Sequence, residues 1–358
     1  MDVNVGVIAA SGYAGGEAVR LLNYHPNVNI TYITSRRLIG KYFHTVYPNL
    51  RNITDIKFED YNIETAKKKC DVVILGVPHG ISQEFIPELR ESGLKVIDLS
   101  ADFRLKDPKI YKKYYKKDHS SKKYFEEATY GMPELHRDEI KKANLIAVPG
   151  CQAASAIYGV FPLIKEGLID PKRIIVDSKT GSSGSGAGHS EASHHPTRAN
   201  SIRPYKMTGH RHTGEIEQEL SLLSIKNNDK CVKVGFSAHA VNLVRGILST
   251  CHVFFEERKD IDKRTLFRAY RKNLRNEPFL RLINQRVGVF RLPDPKLVVG
   301  TNYCDVGFKI DAHMNRIVAL SALDNLVKGT AGNAIQCLNL MYGLPESTGL
   351  EFPGYYPS

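Results

Sequence analysis

The chain has no run of 18 apolar residues, so nothing in it reads as a bilayer-crossing helix. Its first residues, MDVNVGVIAASGYAG, carry an acid and no basic n-region, and so do not read as a signal peptide. Cysteine is scarce: six in 358 residues, with no C-x-x-C pair, which argues against a zinc ribbon and a thioredoxin-type motif. Six are too sparse for a disulfide framework, and a reducing, cytoplasmic compartment is the simplest expectation. Acids are outnumbered, 38 Asp and Glu against 50 Lys and Arg, leaving +12. That balance suits an anionic substrate, an acidic partner or nucleic acid. A nucleic-acid motif and the aromatic–basic interleaving of single-strand binders are both missing. There is no internal repeat. The remaining composition, 42% hydrophobic and 25% charged, is that of a globular protein. At roughly 150 residues per domain, the length suggests two domains.

The first third alternates short apolar runs with helical spacing. Val3 to Ile8, Ile30 to Thr34, Val72 to Val77, Val96 to Leu99 and Leu145 to Val148 read as buried strands. Strands alternating with helices imply βαβ units and a parallel sheet. From about residue 173 the strands lengthen: Ile174 to Asp177, Val232 to Phe236, Gly246 to Phe255, Tyr303 to Ile310 and Ile317 to Leu320. This region reads as α+β with a mixed or antiparallel sheet. Gly181 to Gly188 is a loop, and Ala331 to Met341 a final helix. The eight lysines of segment 105–123 read as a solvated surface.

Ala10-Ser11-Gly12-Tyr13-Ala14-Gly15 follows the first strand and opens a helix, like G-x-G-x-x-G with Ala first. Such a turn brings backbone N–H groups and a helix N-terminus to a phosphate, although a tight strand–helix turn needs glycine in any case. After the second strand an acid would bond a ribose hydroxyl; this chain has Ser35-Arg36-Arg37, which suits a 2′-phosphate and favours NADP over NAD. The competing reading leaves the arginines facing solvent.

Cys151 lies between a buried strand and a helical run, at an expected helix N-terminus, where the dipole favours a thiolate and acyl transfer. Alone, a cysteine there is also consistent with inert packing; the other five, within or beside apolar runs, look structural. Gly209-His210-Arg211-His212-Thr213-Gly214-Glu215 begins another helix. One of its histidines could exchange protons near neutral pH, with Glu215 orienting His212 and Arg211 holding an anion. Surface histidines and a metal site with His194 and His195 are the alternatives, the second poorly supported by H-x-H spacing. Segment 189–212 holds nine His, Lys or Arg residues and one acid, Glu191, and would attract an acidic substrate or protein tail.

SGYAG (11–15), VPHGIS (77–82), VIDLSADFRL (96–105), YGMPE (130–134), VPGCQAAS (148–155), GHRHTGEIEQEL (209–220), RGILST (245–250) and DNLVKGTAGNAIQCLN (324–339) occur in this order across nearly the whole chain. In these strings the chain resembles the N-acetyl-γ-glutamyl-phosphate reductases, most of all the branch acting on 2-aminoadipate or glutamate phosphates held by an amino-group carrier protein. Two departures from common members point to that branch: Val148-Pro149-Gly150-Cys151-Gln152-Ala153-Ala154 in place of N-P-G-C-Y-P-T, and a longer Ser178 to Gly188 loop followed by Ser193-His194-His195-Pro196. A third departure, Gly214 where the family has Pro, weakens the local match.

The resemblance implies an α/β protein: a Rossmann-like doubly wound sheet in residues 1–150, with the C-terminal segment 325–358 packing back on it, and an α+β catalytic and dimerisation domain of the semialdehyde dehydrogenase type in 151–324. It implies Cys151 as the nucleophile, His212 ahead of His210 as the acid–base residue, and NADP(H) held by residues 11–15, Ser35, Arg36, Arg37 and, at its nicotinamide end, Asn325. Arg104, Lys179, His195 and Arg211 are expected to bind the substrate anion, the first two from charge and position. The expected partner is a small acidic carrier protein bearing the substrate, with neither nucleic acid nor membrane. A homo-oligomer, dimer or tetramer, is implied; the alternative substrate is free N-acetylglutamyl phosphate.

Overall fold

A computed structural model describes residues 2–225, 231–255 and 261–356. The chain divides into two compact units: Met1–Pro149 with Thr330–Phe352, and Gly150–Gly329 with Pro353–Ser358.

In the first unit β1 (Val3–Ile8), β2 (Val28–Ile33), β3 (Val72–Leu75), β4 (Lys95–Asp98), β5 (Thr129–Tyr130) and β6 (Leu145–Ala147) form one sheet in the order β2-β1-β3-β4-β6-β5, every pair parallel. The order reverses beside β1, as in doubly wound dinucleotide-binding sheets. β3 is buried at all four positions, as a strand covered on both faces must be. The chain leaves β1 through Ala9, held left-handed at φ 60° by bonds from Ala9 N to Thr34 Oγ1 (3.1 Å) and from Ala10 N to Thr34 O (3.0 Å). That conformation disfavours any side chain by about 1–2 kcal/mol. The helix Tyr13–Leu22 then starts at once, and Gly15 lies so close to the turn that a Cβ on it would sit 2.8 Å from Ala10 Cα.

After β4 two buried carboxylates share the Ser82 hydroxyl, Asp98 at 3.0 Å and Asp102 at 2.9 Å, and Asp102 also accepts Gly80 N–H. Burial, and the neighbouring Asp102 charge, push the Asp98 carboxyl up to about 7. Helix Gly332–Met341, buried along its whole length, joins this unit through His25 Nε2 to Asn339 Oδ1 (2.8 Å).

The second unit carries β7 (Ile174–Thr180), β8 (Arg203–Lys206), β9 (Val234–Ala240), β10 (Ile247–Phe254), β11 (Leu280–Leu282), β12 (Cys304–Asp311) and β13 (Arg316–Leu323), in the order β11-β12-β13-β10-β7-β9-β8. Pairs β7/β9 and β11/β12 are parallel and the rest antiparallel. Burial alternates along β10, so one face is covered and the other half-exposed. Helix Cys151–Lys165 lies on the covered face, where Ser155 Oγ meets Ser321 Oγ at 2.8 Å.

Residues 325–329 and 353–358 group with the second unit, where the sequence had suggested the whole of 325–358 with the first. Asn325 binds Gly246 N–H and the Ser183 hydroxyl, both within the second unit, and Tyr356 packs edge-on against Phe290. Cys231 is exposed, unlike the buried Cys70, Cys251, Cys304 and Cys337, and so is not a packing cysteine.

Gly15→Ala should destabilise the chain by about 1–3 kcal/mol in urea unfolding, because the added methyl meets backbone that cannot yield. An unchanged midpoint would contradict the close packing.

Candidate active site

Cys151 is the first residue of helix Cys151–Lys165 and is partly exposed. Gly150, the residue before it, has no side chain with which to cap that helix, so Cys151 sits at the N-terminal end of the helix dipole. The turn into it is fixed by Glu215, fully buried, whose Oε2 accepts Gly150 N–H at 2.8 Å. Helix His212–Ile225 puts Glu215 one turn after His212, whose Nε2 lies 3.9 Å from Glu215 Oε1. One carboxylate therefore meets both the entrance to the Cys151 helix and a buried imidazole.

His210 is buried and stacks on Phe236 of β9 (4.8 Å between centroids), with its ring 4.7 Å from that of His212. Its Nδ1 accepts His212 N–H at 3.2 Å, so in the neutral ring the proton sits on Nε2, 3.5 Å from the Tyr205 hydroxyl. Burial, with help from the Arg211 and Lys206 charges, pulls His210 down to about 4, so it is neutral at pH 7. Gln152 Nε2 donates to the same hydroxyl at 2.9 Å, leaving the Tyr205 proton for another acceptor. Desolvation around that hydroxyl raises Tyr205 above its ordinary pKa, although the residue as a whole is 45% exposed.

The other expected site residues are distributed as follows. Arg211 and His195 are exposed within the basic segment, which Arg198 ties down through Thr180 O (3.0 Å) and Val241 O (2.8 Å). Arg104 is 5% exposed, with Nε on Val148 O (2.6 Å) and Nη2 on Leu99 O (3.0 Å), so it straps strand ends in the first unit. Lys179 is corrected: β7 runs on to Thr180, which puts Lys179 beside Asp177 (2.8 Å) on the half-exposed sheet face, opposite the Cys151 helix. Asn325 Oδ1 accepts Gly246 N–H (2.8 Å) and its Nδ2 donates to Ser183 Oγ (2.9 Å).

In the first unit Gly12 precedes helix Tyr13–Leu22 with no side-chain cap. Ser11 and Ser35 hydroxyls meet at 3.1 Å, and Arg36 and Arg37 are exposed beyond them. An uncapped helix start, small residues at the turn and two guanidinium groups after β2 fit a dinucleotide with a 2′-phosphate. Among the described residues no three His, Cys, Asp or Glu side chains gather as a metal site, and no helix is long and apolar enough to cross a membrane.

Residues 4–143 match the family model for the semialdehyde dehydrogenase NAD binding domain, and 151–325 that for the semialdehyde dehydrogenase dimerisation domain. A protein of Nitrosopumilus maritimus, putative (LysW)-L-2-aminoadipate/(LysW)-L-glutamate phosphate reductase, is 48% identical over 99% of this chain and 100% of its own. The Sulfurisphaera tokodaii protein with that name, without the qualifier, is 43% identical over 99% and 100%. The chain belongs to this phosphate reductase family. Among solved structures, aspartate semialdehyde dehydrogenase II of Vibrio cholerae superposes with TM-score 0.72 at 19% identity, over 96% of this chain and 99% of that one, so the semialdehyde dehydrogenase fold is shared.

In this reductase family member, the sequence signals had marked Cys151, His210, His212 and Glu215. They missed Tyr205 and Phe236, which the paired strands β8 and β9 bring to His210, and Gln152, next to Cys151, which bonds Tyr205. The signal available for Tyr205 was an aromatic residue in a basic segment close before H-R-H.

The depressed His210 makes the folded chain bind fewer protons than the unfolded one between about pH 4 and 6.5. Stability should therefore fall as pH drops through that window. Urea titrations of wild type and His210→Phe should show a shallower acid-side loss in the variant; identical slopes would contradict a buried neutral His210.

Proposed function

We propose that this chain is an NADPH-dependent reductase of a carrier-bound acyl phosphate, LysW-bound 2-aminoadipate 6-phosphate, glutamate 5-phosphate or both, acting in the cytoplasm in lysine biosynthesis and, where glutamate is the substrate, in arginine biosynthesis. The observation that carries the reading is Cys151 at an uncapped helix start, tied through Gly150 N–H to the Glu215 carboxylate beside His212. The names of the relatives supply the substrate.

The Cys151 sulfur attacks the acyl carbon, the bond to phosphate breaks, and a thioester forms. The helix dipole stabilises the sulfur's negative charge before attack and again when it leaves. His212, with Glu215 beside it to stabilise its imidazolium, gives a proton to the departing phosphate. Tyr205, accepting from Gln152 and His210, donates a hydrogen bond to an oxygen of the acyl group and keeps its proton. Bound NADPH supplies the hydride that reduces the thioester carbonyl. The carbon–sulfur bond then breaks, the semialdehyde leaves and the thiolate is restored. Gly12, the start of helix Tyr13–Leu22, Ser11, Ser35, Arg36 and Arg37 would hold the dinucleotide, with Asn325 proposed at its nicotinamide end. The exposed basic residues of 189–211, including His195 and Arg211, favour an acidic carrier and chiefly speed its encounter. A homo-oligomer through the dimerisation domain completes the proposal.

Cys151→Ser should abolish reduction while leaving NADPH binding intact; retained turnover would refute the thioester route. Equal turnover of carrier-bound and free N-acetylated acyl phosphates would remove the carrier assignment. Replacing Arg36 and Arg37 by Ala should weaken NADPH about tenfold or more with little change for NADH; equal losses would mean that these arginines do not read the 2′-phosphate.

A further inference from the structure

The segment between β13 and helix Gly332–Met341 contains a π-helical turn, Val327–Ala331, a widened form that often marks functional sites. It is anchored within its own unit at Asp324 and at Lys328. The buried Asp324 carboxylate accepts Leu326 N–H (2.7 Å) and Val327 N–H (3.3 Å) through one oxygen, and Gly300 N–H (2.7 Å) and Arg245 Nη1 (3.2 Å) through the other. Lys328, fully buried, sits 5.1 Å from the ring of Tyr158, two turns along the Cys151 helix, and 5.8 Å from that of Phe279.

Directly after these anchors Gly329 N–H binds Asp324 O at 2.9 Å, the five-residue spacing of a π turn. Its φ is not left-handed, so backbone freedom does not require glycine there. Space does. A Cβ on Gly329 would lie 2.7 Å from Cys151 Cβ and 3.2 Å from both Asp324 O and Leu323 Cδ1. The nearest of these is the root of a side chain on a packed helix, and the turn behind Gly329 is pinned, so neither partner can give way freely.

We propose that Gly329 is a positioning residue for Cys151: by lacking a side chain it lets the pinned π turn press against Cys151 Cβ, which fixes the direction in which the sulfur leaves the helix. The inference rests on the nucleophilic role of Cys151 proposed above. A residue in this place acts on attack geometry and not on dinucleotide binding, and misplacing a nucleophile by a fraction of an ångström is felt directly in the chemical step.

The test is a double-mutant cycle on the full chain, read in stability and in kinetics. Gly329→Ala is made in wild type and in Cys151→Gly, which has no Cβ to meet. In wild type it should lower Tm and cut kcat with the carrier-bound substrate about a hundredfold, with NADPH affinity unchanged. In the Cys151→Gly background most of the Tm loss should disappear. Should Gly329→Ala not fold alone, its recovery in the Cys151→Gly background still reports the contact. Gly159→Ala, on the same helix with an added Cβ no closer than 3.6 Å to Ser321, should keep the wild-type rate. Equal Tm losses in both backgrounds, or a wild-type kcat in Gly329→Ala, overturn the proposal. The Tm arm does not depend on the reaction, so it separates this inference from the assignment of Cys151 as nucleophile.

Discussion

The second unit is organised around one hydrogen bond, from Gly150 N–H to the buried Glu215 carboxylate. It joins the starts of two helices that are more than sixty residues apart in sequence. A charged acceptor with no solvent contact makes such a bond costly to break, because the carboxylate would be left buried without it. Through it the chain sets where Cys151 begins its helix and where His212 begins the other. Phe236 then backs His210, and Gln152 and His210 converge on Tyr205. The chemistry proposed for the thiol, the imidazole and the phenol is a consequence of that joint.

Both units use the same physical device for different charges. In the first, helix Tyr13–Leu22 starts directly after a strand, uncapped, beside a turn of small residues. In the second, helix Cys151–Lys165 also starts uncapped, with a sulfur at its first position. A helix start with no side-chain cap on the residue before it favours a neighbouring anion, here the phosphate proposed for the first and the Cys151 thiolate proposed for the second. The left-handed Ala9 and the tight Gly15 contact are the local strain and crowding that let the first turn be so short.

The apolar runs made most of the fold legible, because strands buried on both faces must be continuous in hydrophobicity; β1 matches its run residue for residue. β5, β8 and β11 were not legible. They are two to four residues long, and β8 is a polar edge strand containing Pro204. Cys151, His210, His212 and Glu215 were readable from strand–helix junctions and local spacing. Gln152 and Tyr205 were not, since their meeting depends on a strand invisible in the hydrophobic pattern. Lys179 shows how a boundary error becomes a site error. With β7 ending at Asp177 it lies in a loop, whereas with β7 extended to Thr180 the two-residue alternation turns it to the face of Asp177. The split of the C-terminal segment had the same kind of cause: the hydrogen bonds that Asp324 and Asn325 accept from Gly300 and Gly246 carry no local signature.

The proposed chemistry stands or falls on a covalent intermediate on one sulfur. The most direct measurement is to mix the enzyme with the carrier-bound acyl phosphate in the absence of NADPH, quench in acid, and map the adduct by mass spectrometry of proteolytic peptides. Stoichiometric phosphate release is expected, with the acyl group on the peptide containing Cys151. Phosphate retained until NADPH is added, or an adduct on any other residue, would contradict it.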